Sequence, residues 1–224
     1  MTLAVQLPMT ENALMKVDPW TLYWQSDKLE SCIAMASADD AMEIAAYWQA
    51  FALQLNDLAT VLDLASGNGA VPIVMLAENP GLKFVAVDKA EIEPPKYLSR
   101  AKELAAVQFF AGVDICNLPF EDESFDAVTS QFGLEYAPLA SASESAARVL
   151  KKSGAMRLLM HHVDSEIVRP SAQILREITD LLVAGGVVEK VGLFATHQIS
   201  LEQLEAVGQQ YLQTETPKTE RVSG

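Results

Sequence analysis

Residues 61–70 read VLDLASGNGA, and this stretch decides the fold. Apolar residues around Asp63 predict a short buried strand, and the apolar pattern of residues 71–78 predicts a helix. Between these elements, Gly67 and Gly69 let the main chain turn sharply with no Cβ in the way. A strand that passes through a glycine turn into a helix brings backbone N–H groups and the positive end of the helix dipole close to a ligand.

A second strand that ends in an acid follows at residues 83–88, which read KFVAVD. Asp88 stands 19 positions beyond Gly69. A carboxylate at the end of the second strand can accept hydrogen bonds from both ribose hydroxyls of a nucleoside ligand. The glycine turn and this acid together predict a nucleoside-cofactor site.

The composition favours a soluble protein and opposes partners with a phosphate backbone or an anionic lipid surface. The chain has 224 residues, half of them hydrophobic, which suits one domain or one domain with an appended lid. Its formal net charge of −14 opposes binding to nucleic acid and to anionic lipid. Cys32 and Cys116 match no metal or redox spacing, so no metal site is expected. No targeting segment or membrane-spanning run is visible, and a cytoplasmic location is expected.

Further strands and helices alternate along the rest of the chain. Strands that are apolar on both faces, separated by helices, imply a parallel sheet covered on both sides. We therefore predict an α/β, Rossmann-like, doubly wound and mostly parallel sheet with helices on both faces. The expected strands are residues 107–111, 127–130 and 156–163. The expected helices are residues 94–104 and residues 141–152, the latter closed by Gly154 as its C′ glycine.

The two ends of the chain carry less regular patterns. Residues 1–38 are expected to be irregular, and Asp40 with Glu43 resembles a capping box that opens a helix to about residue 57. Beyond the fifth strand we expect two helices, one near residues 174–182 and one through residue 212. The second opens with a capping box at Ser200 and Gln203, and residues 187–194 are a candidate strand. The predicted domains are a cap and helix (1–57), a cofactor-binding core (58–164) and a helical segment (165–224).

Five ordered motifs between residues 60 and 160 resemble those of class I S-adenosylmethionine-dependent methyltransferases that act on small molecules. The matching stretches are residues 61–69, residues 87–88, residues 114–115, residues 118–128 (LPFEDESFDAV) and residues 148–154 (RVLKKSG). The resemblance implies S-adenosylmethionine as cofactor. Its methionine part would lie on Asp63, Ala65, Gly67 and Gly69, its ribose on Asp88, and its adenine on Asp114 and Ile115. Lys89 and Gln131 complete the predicted cofactor-binding set.

Two features depart from this family pattern. Ala65 replaces the usual first glycine of the loop, and the strand pair that normally follows the fifth strand is reduced or missing. A missing pair would leave a sheet edge of unpaired backbone groups, which invites pairing with another chain. Either the last helix seals that edge in a monomer, or a second copy of the chain contributes to a homodimer.

Methyl transfer is an in-line displacement, so alignment and exclusion of water matter more than a strong base. Candidate catalytic residues follow the fourth and fifth strands, where open α/β folds bind their ligands. They are Glu135, Tyr136, His161 and His162, and a neutral histidine could accept a proton from a hydroxyl acceptor. Trp20, Tyr23 and Trp24 are candidate substrate contacts in a mobile N-terminal cap, although they could instead pack against the core.

Two other functions fit parts of the pattern. A glycine turn followed by an acid also suits NAD, but Pro72 occupies the third glycine position of that fingerprint and no Tyr-x-x-x-Lys dyad follows. A second alternative is a non-catalytic cofactor-binding module that serves as a partner subunit. Titration with S-adenosylmethionine and with NAD distinguishes a methyltransferase from an NAD-dependent enzyme. A test for methyl transfer to a library of substrates distinguishes an enzyme from a non-catalytic module.

Overall fold

The computed structural model describes residues 18–31, 38–162, 164–165, 168–183 and 185–213. Five parallel strands form one sheet in the order β3-β2-β1-β4-β5. The strands are β1 (Thr60–Leu64), β2 (Lys83–Val87), β3 (Gln108–Phe110), β4 (Phe125–Gln131) and β5 (Leu150–Leu159). The predicted α/β sheet is confirmed.

Eight α-helices and three 3₁₀ turns connect and flank these strands within the described residues. The helices are α1 (Pro19–Trp24), α2 (Ala38–Ala52), α3 (Ala70–Glu78), α4 (Pro94–Tyr97), α5 (Leu139–Val149), α6 (Val168–Leu182), α7 (Val187–Ala195) and α8 (Leu201–Gln213). The 3₁₀ turns are Ala101–Leu104, Ile115–Asn117 and Leu134–Tyr136.

Alternate residues of each strand supply two apolar layers, because neighbouring side chains on a strand face opposite sides. On one face, Leu62 and Val128 pack with Ala146 of α5. On the other face, Val61 packs with Trp48 of α2, in a cluster that also includes Met75 of α3. The sheet is therefore covered by helices on both sides, as predicted.

The N-terminal segment is more regular than the sequence analysis expects. Asp18 caps α1, since its carboxylate accepts a hydrogen bond from the Thr21 backbone N–H at 2.9 Å, and Pro19 occupies the first turn. The prediction of an irregular segment is wrong for these residues. Asp40 lies inside the first turn of α2 rather than at its cap. That helix ends at Ala52, earlier than predicted, because shorter-range turn bonds follow, such as Gln54 N–H to the Phe51 carbonyl.

The helix predicted over residues 94–104 is broken into α4 and a 3₁₀ turn. Leu98 is extended, and the Ser99 backbone N–H and hydroxyl donate to Asp27 Oδ1 at 2.8 and 3.1 Å. These long-range bonds replace the hydrogen bonds that would continue the helix.

The boundary between α5 and β5 also differs from the prediction. The helix ends at Val149, and the chain pairs with β4 from Leu150 onward. Gly154 is therefore a strand residue and not a helix C′ glycine. A Cβ there would lie 2.6 Å from Leu150 Cδ1 and 2.9 Å from the Asp126 carbonyl oxygen, so the irregular β4–β5 pairing requires glycine.

The described residues divide into two compact units between Met160 and His161. Every regular element described in the second unit is a helix. The strand predicted at residues 187–194 is wrong, because Val187, Val191 and Phe194 recur at helical spacing and form part of α7. The predicted capping box of α8 is confirmed: Ser200 N–H donates to Gln203 Oε1 at 2.9 Å, and Gln203 N–H donates to Ser200 Oγ at 3.3 Å.

After Leu159 the described residues contain no strand that could extend the sheet beyond β5. Self-association at this edge stays a prediction. Residue 163, the predicted end of the fifth strand, and residues 214–224 of the predicted helical segment lie outside the described residues. No helix in the described parts of the chain has the length and apolar character needed to cross a membrane.

Candidate functional site

Asp63 is a buried acid at the centre of the sheet. It lies in β1 with 1% of its surface exposed, and its Oδ1 accepts a hydrogen bond from Thr129 Oγ1 of β4 at 2.8 Å. Burial raises the pKa of Asp63 to about 7, an effect that the Ser66 and Thr129 hydroxyls oppose in part. The charged neighbour that affects this pKa is a second acid, Asp88, which raises it further. A cationic ligand group would relieve this burial of like charge.

The loop after β1 is folded against the end of β2. The Ser66 backbone N–H donates to the Val87 carbonyl at 3.0 Å. Gly67 and Gly69 have φ angles of 52° and 89°, in the left-handed region that favours glycine. Ala65 also has a positive φ of 51°, which is uncommon for a residue with a Cβ. Strain of this kind is typical of ligand-binding loops.

Asp88 fixes the same loop from the neighbouring strand. Its Oδ2 accepts a hydrogen bond from the Gly67 backbone N–H at 2.8 Å, and its Oδ1 accepts one from the Ala90 backbone N–H at 2.8 Å. Burial raises the pKa of Asp88, while these backbone donors oppose the increase. The loops after β1 and β2 are therefore joined through one carboxylate.

A cavity of about 310 Å³ opens beside these loops. It lies at the carboxyl ends of β1, β2 and β4, where the strand order reverses and where open α/β folds bind ligands. Its volume is at the lower end of the range for small-molecule sites. The lining residues are Trp20, Trp24, Leu29, Glu30, Ser31, Asp63, Ala65, Ser66, Ala70, Val71, Asp88, Lys89, Asp114, Ile115, Gln131, Phe132, Gly133, Tyr136, Ala137 and Pro138.

Most of the predicted cofactor residues meet at this cavity. Those that line it are Asp63, Ala65, Asp88, Lys89, Asp114, Ile115 and Gln131. The two loop glycines are not among the lining residues. Gly67 lies against the Trp24 ring, whereas Gly69 is the N-cap residue of α3 and lies against the side chains of Leu104 and Phe109. In the structure the two glycines shape the loop, and cofactor contact by the whole predicted set, Gly67 and Gly69 included, stays a prediction.

The aromatic residues predicted to contact substrate divide into two groups. Trp20 and Trp24 line the cavity and their rings stack with centroids 6.1 Å apart. Trp20 also meets the ring of Tyr136 edge to face, with centroids 5.6 Å apart. Tyr23 is not among the lining residues, and its hydroxyl donates to the Glu30 carbonyl at 2.9 Å. Tyr23 therefore holds the segment that carries Glu30.

One of the four predicted catalytic residues is found at the cavity. Tyr136 lines the cavity with 60% of its surface exposed. Glu135 is not among the described lining residues, and neither is His161 or His162. The two histidines are the first residues of the second compact unit. Catalytic roles for these four residues stay predictions.

Several lining residues are not identified by the sequence analysis. Glu30 is half-buried, and burial raises its pKa while Arg100 lowers it. Phe132 has a positive φ of 52°, and a Cβ on Gly133 would lie 2.4 Å from Ala65 Cβ. The loops after β1 and β4 therefore approach closely at the cavity. No periodic pattern marks these residues, although the Phe-Gly pair after a strand is a turn signal that could have been read.

The side chains that line the cavity fit S-adenosylmethionine. The cofactor carries a sulfonium and an ammonium, both cationic, and the cavity contains four carboxylates against one lysine among its described lining. The Asp88 carboxylate has about four lone-pair sites, so it could accept a ligand hydroxyl besides the bonds from the Gly67 and Ala90 backbone N–H groups. Apolar and aromatic residues such as Ile115 and Trp24 supply surfaces for flat or aliphatic parts of the ligand.

Comparison with known proteins supports the same assignment. Residues 61–154 match the family model described as a methyltransferase domain. Over 101 residues the chain is 37% identical to a demethylmenaquinone methyltransferase of Thermotoga maritima, in an alignment that covers 44% of this chain and 42% of the relative. Over 138 residues it is 30% identical to the ubiquinone/menaquinone biosynthesis C-methyltransferase UbiE of Bartonella quintana, covering 60% of this chain and 50% of the relative.

The chain thus spans half or less of the length of these two curated relatives. Among solved structures, the YcgJ protein of Bacillus subtilis is similar over 75% of this chain and 78% of that chain, with 20% identity and a TM-score of 0.49. The family match coincides with the strands and loops that carry Asp63, Asp88 and Asp114. Residues 61–154 of this chain therefore match a methyltransferase domain.

Proposed function

We propose that this protein transfers a methyl group from S-adenosylmethionine to a small-molecule acceptor. The observation that carries the proposal is the hydrogen bond from the Gly67 backbone N–H to the carboxylate of Asp88, which lines the same cavity as the buried Asp63. A glycine loop and two acids joined in this way support binding of a cationic nucleoside ligand.

The chain's residues would bind and orient the cofactor as follows. Asp63 and the loop after β1 would hold the amino-acid part, with the Asp63 carboxylate facing a positive group. Asp88 would accept hydrogen bonds from the ribose hydroxyls, and Asp114 would accept one from the adenine amino group. When bound, S-adenosylmethionine supplies a methyl group on a positively charged sulfur, which is a good leaving group.

We propose that the acceptor is a small flat molecule which packs against the aromatic wall formed by Trp20, Trp24 and Tyr136. Two observations support this choice. The rings of Trp20 and Tyr136 meet edge to face and both residues line the cavity. One relative described above is named a demethylmenaquinone methyltransferase and the other a ubiquinone/menaquinone biosynthesis C-methyltransferase, and quinones are flat ring compounds. The aromatic wall would align the acceptor and exclude water, which is the main catalytic requirement of in-line methyl transfer.

The net charge of −14 supports a small molecule over a nucleic acid as acceptor. A cytoplasmic location stays a prediction, as does the homodimer. An NAD-dependent oxidoreductase is not favoured, because Pro72 stands in the first turn of α3 where the dinucleotide fingerprint requires its third glycine.

Transfer of a labelled methyl group tests the proposal. The protein is incubated with methyl-labelled S-adenosylmethionine and a panel of quinols, phenols and amines, and label is measured in each acceptor. We expect label in a flat ring-containing acceptor, with less transfer in Asp88→Ala at limiting S-adenosylmethionine. Binding of the cofactor with no transfer to any acceptor class would favour the non-catalytic partner subunit instead.

A further inference from the structure

Asn68 connects the glycine loop to the N-terminal segment of residues 18–31, here called the cap. Its side chain is fully buried, and Nδ2 lies 2.8 Å from the Lys28 carbonyl, 3.0 Å from the Trp24 carbonyl and 3.3 Å from the Ser26 carbonyl. Because carbonyl oxygens only accept hydrogen bonds, the Asn68 atom that faces them must be the Nδ2 donor and not Oδ1. This fixes the orientation of the Asn68 amide. One side chain between Gly67 and Gly69 therefore holds the end of α1 and the turn after it.

The amide oxygen of Asn68 is not used in the same way. Asn68 Oδ1 is buried and has no hydrogen-bond partner among the described residues. A buried acceptor without a partner costs free energy, which the bonds made by Nδ2 must offset. Any stabilisation by the Asn68 side chain therefore comes from the hydrogen bonds that Nδ2 donates to the cap.

The Trp24 ring makes a second contact between the cap and the loop. A Cβ on Gly67 would lie 2.4 Å from Trp24 Cζ2, so the indole occupies the space that the missing side chain leaves. Only 7% of the Trp24 surface is exposed. The cap thus rests on the backbone of the loop predicted to hold the cofactor.

Two further tethers attach the cap elsewhere. The Glu91 backbone N–H donates to Thr21 Oγ1 at 3.0 Å, three residues after Asp88. Asp27 Oδ1 accepts the bonds from Ser99 described above. These tethers do not involve Asn68, so the loss of Asn68 is expected to loosen the fit of the cap on the loop without detaching the cap.

The cap also forms one wall of the cavity through Trp20, Trp24 and Glu30. We propose that Asn68 is a positioning residue, which holds the cap on the glycine loop so that retention of the cofactor depends on closure of the cap. This proposal rests on the proposed function, because it assigns the cavity to S-adenosylmethionine. Asn68 is expected to act through the three cap carbonyls and not by contact with the reacting atoms.

The substitution Asn68→Asp tests this role with almost no change in volume. It replaces the amide donor with a carboxylate oxygen, which repels the three carbonyls. In the protein without ligand, we expect hydrogen exchange at the cap amides to become faster by about tenfold. We also expect the affinity for S-adenosylhomocysteine to fall by about tenfold, in line with the loss of one or two hydrogen bonds.

Asn79→Asp provides a matched control. Asn79 is also buried, and its Nδ2 lies 3.4 Å from both the Ala52 and Leu55 carbonyls, but it does not line the cavity. Its substitution creates the same repulsion at a structural site. We expect Asn79→Asp to lower the melting temperature while leaving cap exchange and S-adenosylhomocysteine affinity at their wild-type values.

Each outcome of the comparison decides the proposal. Unchanged cap exchange in Asn68→Asp would overturn it, and so would faster cap exchange with unchanged S-adenosylhomocysteine affinity. If Asn68→Asp does not fold, Asn68→Ser provides the same comparison, because the shorter hydroxyl cannot reach all three carbonyls. A wild-type protein that binds no S-adenosylhomocysteine would contradict the proposed function and the coupling, whereas the exchange data would still show whether Asn68 holds the cap.

Discussion

The Asp88 carboxylate accepts a hydrogen bond from the Gly67 backbone N–H, with 2.8 Å between Asp88 Oδ2 and Gly67 N. This bond joins the end of β2 to the loop after β1, although the two residues are 21 positions apart in the chain. The second oxygen, Oδ1, is held by the Ala90 backbone N–H. Asp88 is therefore oriented by the protein itself, and a ligand hydroxyl would meet a carboxylate that is already in position.

Asp88→Ala is expected to weaken S-adenosylhomocysteine binding by about 1–3 kcal/mol, because it leaves buried polar partners without a hydrogen bond. Calorimetric titration measures the change. Asp126→Asn is the control, since the Asp126 carboxylate also accepts a backbone N–H bond, from Thr60 at 2.8 Å, but does not line the cavity. Equal affinities for Asp88→Ala and the wild type would remove Asp88 from the site.

The raised pKa of Asp63 predicts how stability changes with pH. The pKa is 3.8 for the ordinary carboxyl and about 7 in the folded protein, so between these values the folded state binds more protons. The protonated Asp63 carboxyl therefore contributes its full free energy of stabilisation below about pH 3.8, the pKa of the unfolded chain. This contribution is lost as the pH rises through about 7, the pKa of the folded protein. Asp63→Asn lacks this titration. We expect the wild type to lose up to about 2–3 kcal/mol more than Asp63→Asn between about pH 5 and pH 8.

Chemical denaturation at several pH values measures that difference in the free energy of unfolding. Wild-type and Asp63→Asn proteins that show the same pH slope would contradict a buried, protonated Asp63.

Gly67→Ala is expected to destabilise the protein by about 1–3 kcal/mol, through strain at a positive φ and through overlap with Trp24. Gly81→Ala is the matched control, because a Cβ at Gly81 would meet its nearest neighbours at an ordinary 3.4 Å. Thermal unfolding compares the two variants. A melting temperature for Gly67→Ala as high as that for Gly81→Ala would show that the loop adapts without cost.

Asp126 is expected to contribute to stability by a mechanism with the opposite pH dependence. Its Oδ1 accepts a hydrogen bond from Lys151 Nζ at 2.7 Å, and its Oδ2 accepts two from Thr60. These partners, led by Lys151, lower its pKa from 3.8 to about 2. Its contribution is therefore present above the unfolded pKa and is lost as the pH falls through about 2.

We expect Asp126→Asn to cost about 1 kcal/mol or less near neutral pH, because both side chains of the ion pair are more than a third exposed and solvent screens the pair. Unfolding experiments in urea at about pH 7 and pH 2.5 measure the loss. A cost that is larger at the lower pH would refute the assigned role.

The central strands and their acids could be predicted because the signals are local. A short apolar run around Asp63 identifies β1, and a second run that ends at Asp88 identifies β2. Because the two strands pair in parallel, the two acids lie at the same edge of the sheet. The same local reasoning fails at α7, where Val187 and Val188 suggest a strand although the apolar spacing is helical. The cap helix α1 is absent from the predicted elements, although Asp18 and Pro19 are recognisable helix-start signals.

Tertiary contacts explain most of the other differences. The bonds between Ser99 and Asp27 break the helix predicted after Pro94, and no pattern near residue 99 indicates a partner 72 positions away. The place of Glu30 at the cavity depends in the same way on the Tyr23 hydroxyl, which holds the Glu30 carbonyl. Sequence periodicity reports which face of an element is buried, but it does not identify the partners of loop residues.

Titration of the wild-type protein with S-adenosylhomocysteine and, separately, with NAD tests the central claim most directly. We expect calorimetry to show one S-adenosylhomocysteine bound per chain and no binding of NAD at the same concentrations. We also expect proton release near neutral pH, because a cationic ligand group beside Asp63 favours its charged form. No heat of binding with S-adenosylhomocysteine, or binding of NAD in its place, would contradict the account.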